Sequence, residues 1–462
     1  MIFLDKAKRK KNINKEVDMI HGPLFGKLIS FAIPVILSSV LQLLFNAADI
    51  IVVGRYAGEE SLAAVGSTTA LINLMIGLFL GLSIGANVVA AQFFGSGERD
   101  KLSSTVHTSF LLSIICGSAI AVIGFVFSEF FLSLMKSPDD VIGLAALYLR
   151  IYFLSMPATL FYNFGASILR AAGNTKTPLC YLTFAGVVNV LLNLLLVIVF
   201  DMGVAGVGIA TTMAQYISAL LIALYFYRDD GVLHFSPKSL RIDRDILNRI
   251  VKIGIPAGIQ GIVFSLSNVV IQSAVNSFGK VVIAGNSAAS NIEGFVYMAM
   301  NSIYQTAITF TGQNYGAGEH KRILKVLFQC QLIVITIGLV TGNAVYLFGE
   351  KLLHIYSGSD AVVAAGMVRI KYICTIYFLC GIMDTMVGVL RGIGKSVLPM
   401  VVSLTGACLL RLVWIATFFR ANRSPEMLYV AYPITWTITA AAHIVCFVIA
   451  YKALIRSGPK TP

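Results

Sequence analysis

The sequence predicts an all-α integral membrane protein, with twelve transmembrane helices in two six-helix lobes related by pseudo-twofold symmetry about the membrane normal. Composition is the first ground: 57% of the residues are hydrophobic, 12% are charged, and the mean hydropathy is +0.83, far from a soluble domain with a polar surface. Apolar runs are the second. A hydrocarbon core of about 30 Å asks for roughly 20 apolar residues of helix, and such runs fall at 26–53, 62–92, 106–127, 141–168, 178–200, 205–227, 250–276, 282–311, 324–348, 364–390, 398–419 and 428–452. Duplication is the third. Gln92-Phe93-Phe94-Gly95-Ser96-Gly97-Glu98 returns at an offset of 221 (313 − 92) as Gln313-Asn314-Tyr315-Gly316-Ala317-Gly318-Glu319, and Leu169-Arg170 with Gly173 and Pro178 returns at the same offset as Leu390-Arg391 with Gly394 and Pro399. Each half begins with an Ile-Pro pair, Ile33-Pro34 and Ile255-Pro256, here 222 apart, so one residue was gained or lost between them. Six spans per repeat return each half to its starting side, which gives the halves one orientation, a recurring plan of secondary transporters with the substrate site between the halves.

In chain order the expected parts are a cytosolic basic N-terminus (1–25), an N-lobe (26–227), a cytosolic linker (228–249), a C-lobe (250–455) and a cytosolic tail (456–462). The linker is polar, holds Gly231 and Pro237, and alternates acid and base. Outer connections such as 201–203 and 422–426 are short, with longer ones at 128–140 and 349–363; none has room for a soluble domain. Gly77, Gly81 and Gly85, at spacing four in the second span, predict close helix contact. Pro34, Pro157 and Pro256 each remove a helix hydrogen bond and are expected to kink their spans.

A net charge of +13 invites a nucleic-acid reading, and the placement of the charges rejects it. With the N-terminus in the cytosol, 25 of the 35 Lys and Arg fall on cytosolic segments and 6 on outer loops, leaving Arg150, Arg369, Lys371 and Arg411 within or at the edges of spans. This is the positive-inside pattern. The basic head from Lys6 to Lys15 and the middle loop from Arg228 to Lys252 therefore serve as topology anchors. The first apolar run is too long for a signal peptide and lacks a small-residue cleavage site. A multi-pass protein of the cell membrane with both termini cytosolic is expected.

Seven cysteines lie in apolar spans without CxxC spacing, so neither a disulfide nor a metal is expected. Six scattered histidines suggest no ligand set; His107 and His443 are the most plausible exceptions. The function must lie with polar groups that a bilayer rejects, since an acid or a base at a helix centre costs roughly 2.5 to 3.5 kcal/mol on insertion scales. Of 22 acidic residues only Asp49, Glu293 and Asp384 lie well inside spans. Asn46 sits one turn before Asp49 on the same face. Asn163 precedes Asp384 by the repeat offset of 221 (384 − 163), and Asn189 with Asn193 makes a polar stripe in the fifth span. Arg411 is the expected charge partner of Glu293 or Asp384. A buried carboxylate of this kind can carry a proton, hold Na+ with amide and hydroxyl oxygens, or pair with a cationic substrate, and exclusive occupancy is a physical basis for exchange.

These residues together resemble the bacterial multidrug and toxic compound extrusion (MATE) transporters over essentially the whole chain. The carriers are the two Ile-Pro pairs, Asn46 and Asp49 followed by Gly54 and Gly58, the Gln-x-x-Gly-x-Gly-Glu loops, and Leu-Arg-x-x-Gly before Pro178 and Pro399. The resemblance implies two six-helix lobes, cytosolic termini, and export of amphipathic, often cationic compounds in exchange for Na+ or H+. It also implies a cation-coupling set in the N-lobe, with Asp49 matching the acid of the family's first helix and Asn189 and Thr211 as further members beside Asn46, Asn163 and Asn193. Many relatives carry Asn-x-x-x-Asp in the fifth helix, whereas this chain has Asn193 at the second position, leaving one carboxylate. Glu293 and Asp384 resemble the C-lobe acids of one branch, so a second cation or substrate set is Glu293, Asp384 and Arg411.

The expected partners are a small amphipathic substrate and the lipid bilayer, with no nucleic acid, no cofactor beyond the coupling ion, and a monomeric state. The alternative within the same superfamily is a flippase for lipids or lipid-linked oligosaccharides, which calls for a more basic cavity than Arg411 supplies. An enzyme needs a nucleophile with its base, or a His and acid metal set, at a membrane face, and no such spacing is present. An ion channel lacks an oligomeric filter sequence.

Overall fold

The structure, a computed structural model, describes residues 16–135 and 139–456. The basic head at 6–15, the end of the tail and part of the connection at 128–140 lie outside the described residues. Among the described residues the regular structure is helical: α1 Phe25–Tyr56, α2 Gly58–Ser96, α3 Arg99–Leu134, α4 Asp139–Leu154, α5 Met156–Ala171, α6 Lys176–Val199, α7 Gly203–Tyr227, α8 Arg244–Asn276, α9 Lys280–Gly316, α10 His320–Leu347, α11 Gly349–His354, α12 Asp360–Ile376, α13 Phe378–Gly392, α14 Val397–Phe419 and α15 Pro425–Arg456. Nine of these are long and apolar enough to cross a membrane, and the bent pairs α4 with α5 and α12 with α13 bring the number to eleven. The twelfth is α9, 37 residues long. Its apolar character is diluted by Asn286, Glu293, Asn301 and Gln305, and the first two are buried, so polar side chains there meet protein instead of lipid.

The helices gather into two compact units. One holds Ile33–Gly258 with the described part of Met1–Asp18; the other holds Met19–Ala32 with the described part of Ile259–Pro462. Inside the first unit, Val53, Leu132, Leu149, Phe153, Leu160 and Val207 form a core drawn from α1, α3, α4, α5 and α7. A smaller core in the second joins Ala289, Ile292, Leu353, Val363 and Ile370. Large apolar side chains such as Val122, Val126, Leu191 and Val199 face outward, as a hydrocarbon solvent permits.

Two spans read as single helices from the sequence are broken, by 46° between α4 and α5 and by 48° between α12 and α13. Pro157, in the first turn of α5, has no N–H to give back to the preceding turn. Its counterpart in the second repeat is Phe378 (378 − 157 = 221), so the second break has no proline, and the chain tightens instead into a 3-10 turn at Cys374–Ile376. A glycine receives each bend. A Cβ on Gly117 would stand 2.5 Å from Pro157 Cα, and one on Gly338 would stand 2.7 Å from Phe378 Cα. These two glycines are themselves repeat counterparts (338 − 117 = 221). Since a well-packed interior yields little to an added methyl group, Gly117→Ala and Gly338→Ala are each expected to cost about 1–3 kcal/mol. A clear fall in the unfolding midpoint of the detergent-solubilised protein checks this, with Gly143→Ala, where nothing lies within 4 Å, as the substitution expected to change little.

Pro34 and Pro256 lie inside the continuous helices α1 and α8. Close contact in the glycine stripe is real at Gly81 and Gly85, whose Cβ positions would fall 2.3 Å from Gly258 N and Ile250 O on α8. His107 fastens the linker to α3: it bonds Ser103 O at 2.8 Å through Nδ1 and accepts the Ser236 N–H at Nε2 at 3.2 Å. Thr108 receives the Asp243 N–H at 3.1 Å. In the second unit His443 faces Ser403 Oγ and Pro399 O at 3.4 and 3.3 Å.

Candidate functional site

In the first unit, three helices bring four of the expected residues into one hydrogen-bonded set. Asn189 and Asn193 lie one turn apart on α6, so both face the same way, and Asn193 Nδ2 approaches Asn189 Oδ1 at 3.4 Å. Asp49 comes from α1. Asn193 Nδ2 donates to its Oδ1, and Thr211 Oγ1, from α7, donates to its Oδ2 at 3.4 Å. Asn189 Nδ2 closes the ring on Thr211 Oγ1 at 3.4 Å. The side-chain carbonyl oxygen of Asn193 is buried with no hydrogen-bond partner among the described residues, an acceptor held beside a carboxylate. One carboxylate with amide and hydroxyl oxygens is a donor set for a hard cation or a seat for a proton.

Two expected members stand apart. Asn163 gives its amide to Thr159 O in its own helix at 2.8 Å, and Asn46 is exposed and joins no hydrogen bond among the described residues. Two residues that sequence reasoning passed over lie within electrostatic reach of Asp49: Tyr148 and Tyr152 on α4, tilted against one another at 5.9 Å. Their i,i+4 spacing in an apolar span was the available signal.

The second unit answers differently from the sequence expectation. Glu293, on α9, pairs with Arg369 of α12 and not with Arg411: Arg369 donates to Glu293 Oε2 from Nε at 2.9 Å and from Nη2 at 2.7 Å. Tyr377 O–H donates to Oε1 at 3.1 Å. The remaining edge of the guanidinium reaches Asn286 Oδ1 at 2.8 Å, shared with the Tyr429 hydroxyl at 3.0 Å. Every strong group in this cluster is answered, as a buried ion pair requires. Arg369 had looked like one of two bases at a span edge, beside Lys371, and distance along the chain cannot say which of them turns inward.

Asp384 makes no hydrogen bond among the described residues, and the basic group acting on it is Arg391, which itself donates to Tyr304 Oη and to Gln260 Oε1, the latter at 2.9 Å. Arg411 is 2% exposed and lies over the Tyr432 ring at 4.2 Å. It salt-bridges neither acid. The three residues expected to form one C-lobe set thus keep different partners, although Arg369 also lies over Tyr432, at 5.8 Å, so that the Glu293 pair and Arg411 flank one ring. Rings cluster among them: Trp436 stacks on Tyr377 at 5.3 Å and meets Tyr432 edge-on at 5.4 Å.

A duplicated bundle of membrane-crossing helices, each half enclosing ionisable groups within its spans, defines a membrane transporter. The family model described as MatE matches residues 34–195 and again 256–417, and this chain belongs to that family, the multidrug and toxic compound extrusion transporters. The chain is similar to the "Probable multidrug resistance protein YpnP" of Bacillus subtilis, 29% identical over 405 residues that cover 87% of this chain and 90% of the relative. It is also similar to the "Probable multidrug resistance protein NorM" of Thermotoga maritima, 26% identical over 386 residues covering 82% of each. A solved outward-facing multidrug resistance MATE transporter superposes with a TM-score of 0.90 at 19% identity, covering 96% of this chain and 99% of that one. The twelve-span, two-lobed fold is thereby shared. The second matched segment begins and ends at an offset of 222 from the first (256 − 34 and 417 − 195), while the pairs from Gln92 to Pro178 repeat at 221 (313 − 92 and 399 − 178). The two halves thus differ in length by one residue beyond Pro178 and Pro399, where α14 carries a π-helical turn, Leu404–Leu409, in addition to a second at Ile415–Phe419; α6 has one, Leu194–Val199. A π turn takes up one residue more than an α turn.

Proposed function

We propose that the protein is a secondary antiporter that exports amphipathic, often cationic compounds by alternating access in exchange for Na+ or H+, from a plasma membrane in which both termini face the cytosol. The observation that carries this reading is the Asp49 ring, a lone carboxylate in a span with two donors on it and an unfilled amide oxygen beside it. Such a group binds one cation at a time. When ion and substrate favour opposite conformations, loading one releases the other, and the ion gradient sets the direction. The relatives named as multidrug resistance proteins support the substrate class, and the distribution of Lys and Arg supports the topology.

The test is transport in vesicles. Purified protein reconstituted with trapped ethidium is expected to move the dye when either an Na+ or a pH gradient is imposed, and the gradient that works names the coupling ion. Movement under neither gradient, with the protein shown to be folded, would remove the antiport reading.

A further inference from the structure

Charge accounting in the second unit leaves one residue over. Among the described residues of its spans, the buried cation Arg369 is neutralised by Glu293, and Arg391 is hydrogen-bonded and faces Asp384. Arg411 has no hydrogen bond and no ion pair among the described residues. It is 2% exposed, its Nε is enclosed without an acceptor among the described residues, and it lies over the face of Tyr432 at 4.2 Å, a ring that Arg369 also flanks at 5.8 Å. A guanidinium is permanently charged and carries five N–H donors in a planar fork. Attraction to a single ring does not replace the hydration lost by such a group inside a membrane span.

Its position adds a second observation. Arg411 follows Asn189 at an offset of 222 (411 − 189), the spacing at which the matched segments end, and so occupies in α14 the place that Asn189 holds in the ring of the first unit. The carboxylate is absent there. At the same offset from Asp49 stands Ile271 (271 − 49 = 222), buried in α8. Where the first unit sets a carboxylate among amides, the second sets a cation against aromatic rings, with the sign reversed. The flanking π turns hold α14 irregular on both sides of Arg411, a geometry that recurs at binding sites.

We propose that Arg411 and Tyr432 form a binding site for the oxyanion of an amphipathic substrate: a phosphate or carboxylate received in the guanidinium fork, with the apolar body against Tyr432 and Trp436. The proposal rests on the transporter reading only for the word substrate, and it adds to the cationic compounds a second class that this site would receive, amphiphiles with an acidic group, zwitterions included. A planar fork fits a phosphate or carboxylate through paired N–H donors, which a lysine does not reproduce.

Binding is measured without any gradient, on protein in phosphatidylcholine vesicles, by the fluorescence of its two tryptophans, Trp414 and Trp436. Hexyl phosphate is expected to bind the wild-type protein at least tenfold more tightly than hexyltrimethylammonium. Inorganic phosphate alone is expected to bind at least tenfold more weakly than hexyl phosphate. Arg411→Gln should weaken hexyl phosphate at least tenfold with hexyltrimethylammonium unchanged, and Arg411→Lys should restore only part of the loss. Phosphatidylglycerol in the vesicles separates the sources: competition with hexyl phosphate identifies a lipid head group as the occupant, and no competition identifies a free amphiphile, each being a form of the proposal. Equal affinity for the two head groups in the wild type overturns it, whether or not any variant folds. So does equal binding of inorganic phosphate, or undiminished binding to Arg411→Gln. Gradient-driven ethidium movement would survive those results, so failure of this site and failure of the antiport reading are told apart.

Discussion

Asp49→Asn is expected to reduce gradient-driven dye movement to the level of protein-free vesicles. The substitution keeps size and shape; the single amide oxygen at position 49 still accepts from Asn193, and the new NH2 that replaces the oxygen facing Thr211 can donate to that hydroxyl, so the bundle should remain folded. What is lost is the charge and the capacity to take up a proton. A monovalent cation about 4 Å from a carboxylate gains roughly 4 kcal/mol at an effective dielectric of about 20. Removing that attraction weakens ion binding on the order of a hundredfold or more. Asn193, the ring's second strong group, is an amide and supplies no replacement charge. Undiminished transport by Asp49→Asn, measured under the gradient that drives the wild type, would take Asp49 out of the coupling role and leave the ring a structural one.

Glu293→Gln is expected to be the most destabilising single change at the ionisable sites. It leaves Arg369 enclosed, at 7% exposure, without its counter-charge, and breaking a buried pair from one side costs about 3–5 kcal/mol. Arg369→Met should cost a similar amount for the converse reason. The double variant Glu293→Met with Arg369→Met removes both charges at once and is expected to recover much of the loss, since well-packed apolar replacements of buried pairs are often neutral. Unfolding midpoints of the wild type, Glu293→Met, Arg369→Met and the double variant form the double-mutant cycle that gives the coupling. Additive losses, with no recovery in the double variant, would show that the 2.7 Å contact is not the origin of the effect. Dye movement by the double variant asks the further question of whether the pair has any part in transport.

The fold was legible because its determinants are local and repeated. Apolar runs of span length do not depend on what they pack against, and the repeated Gln-x-x-Gly-x-Gly-Glu loop fixed the duplication without any tertiary information. The break beside Pro157 was readable in the same way, because proline carries its effect in its own covalent structure. Its partner at Phe378 was not: there the bend depends on Gly338 in another helix, which no local pattern connects to it. The ring around Asp49 was legible in part, from the i,i+4 asparagines and the resemblance that supplied Thr211. Asn46 shares a face with Asp49 and Asn163 is the repeat counterpart of Asp384, and neither relation shows that Asn163 bonds its own helix or that Asn46 points outward. Pairing of charges was the least legible feature. Arg411 was the expected partner of Glu293 and Arg369 holds that place instead, because which base turns inward is a matter of side-chain direction, which the sequence does not carry.

The additional π turn in α14 makes register a variable separate from residue identity. Each residue removed from an α-helix turns everything beyond it by about 100°. Shortening the Leu404–Leu409 turn by one residue would leave every remaining side chain in the helix chemically intact, yet rotate the guanidinium at 411 off Tyr432. For this protein a change in length at one point is an inexpensive route to a different electrical character in the second unit, and homologous chains that differ only by that indel should differ in the charge of what they bind.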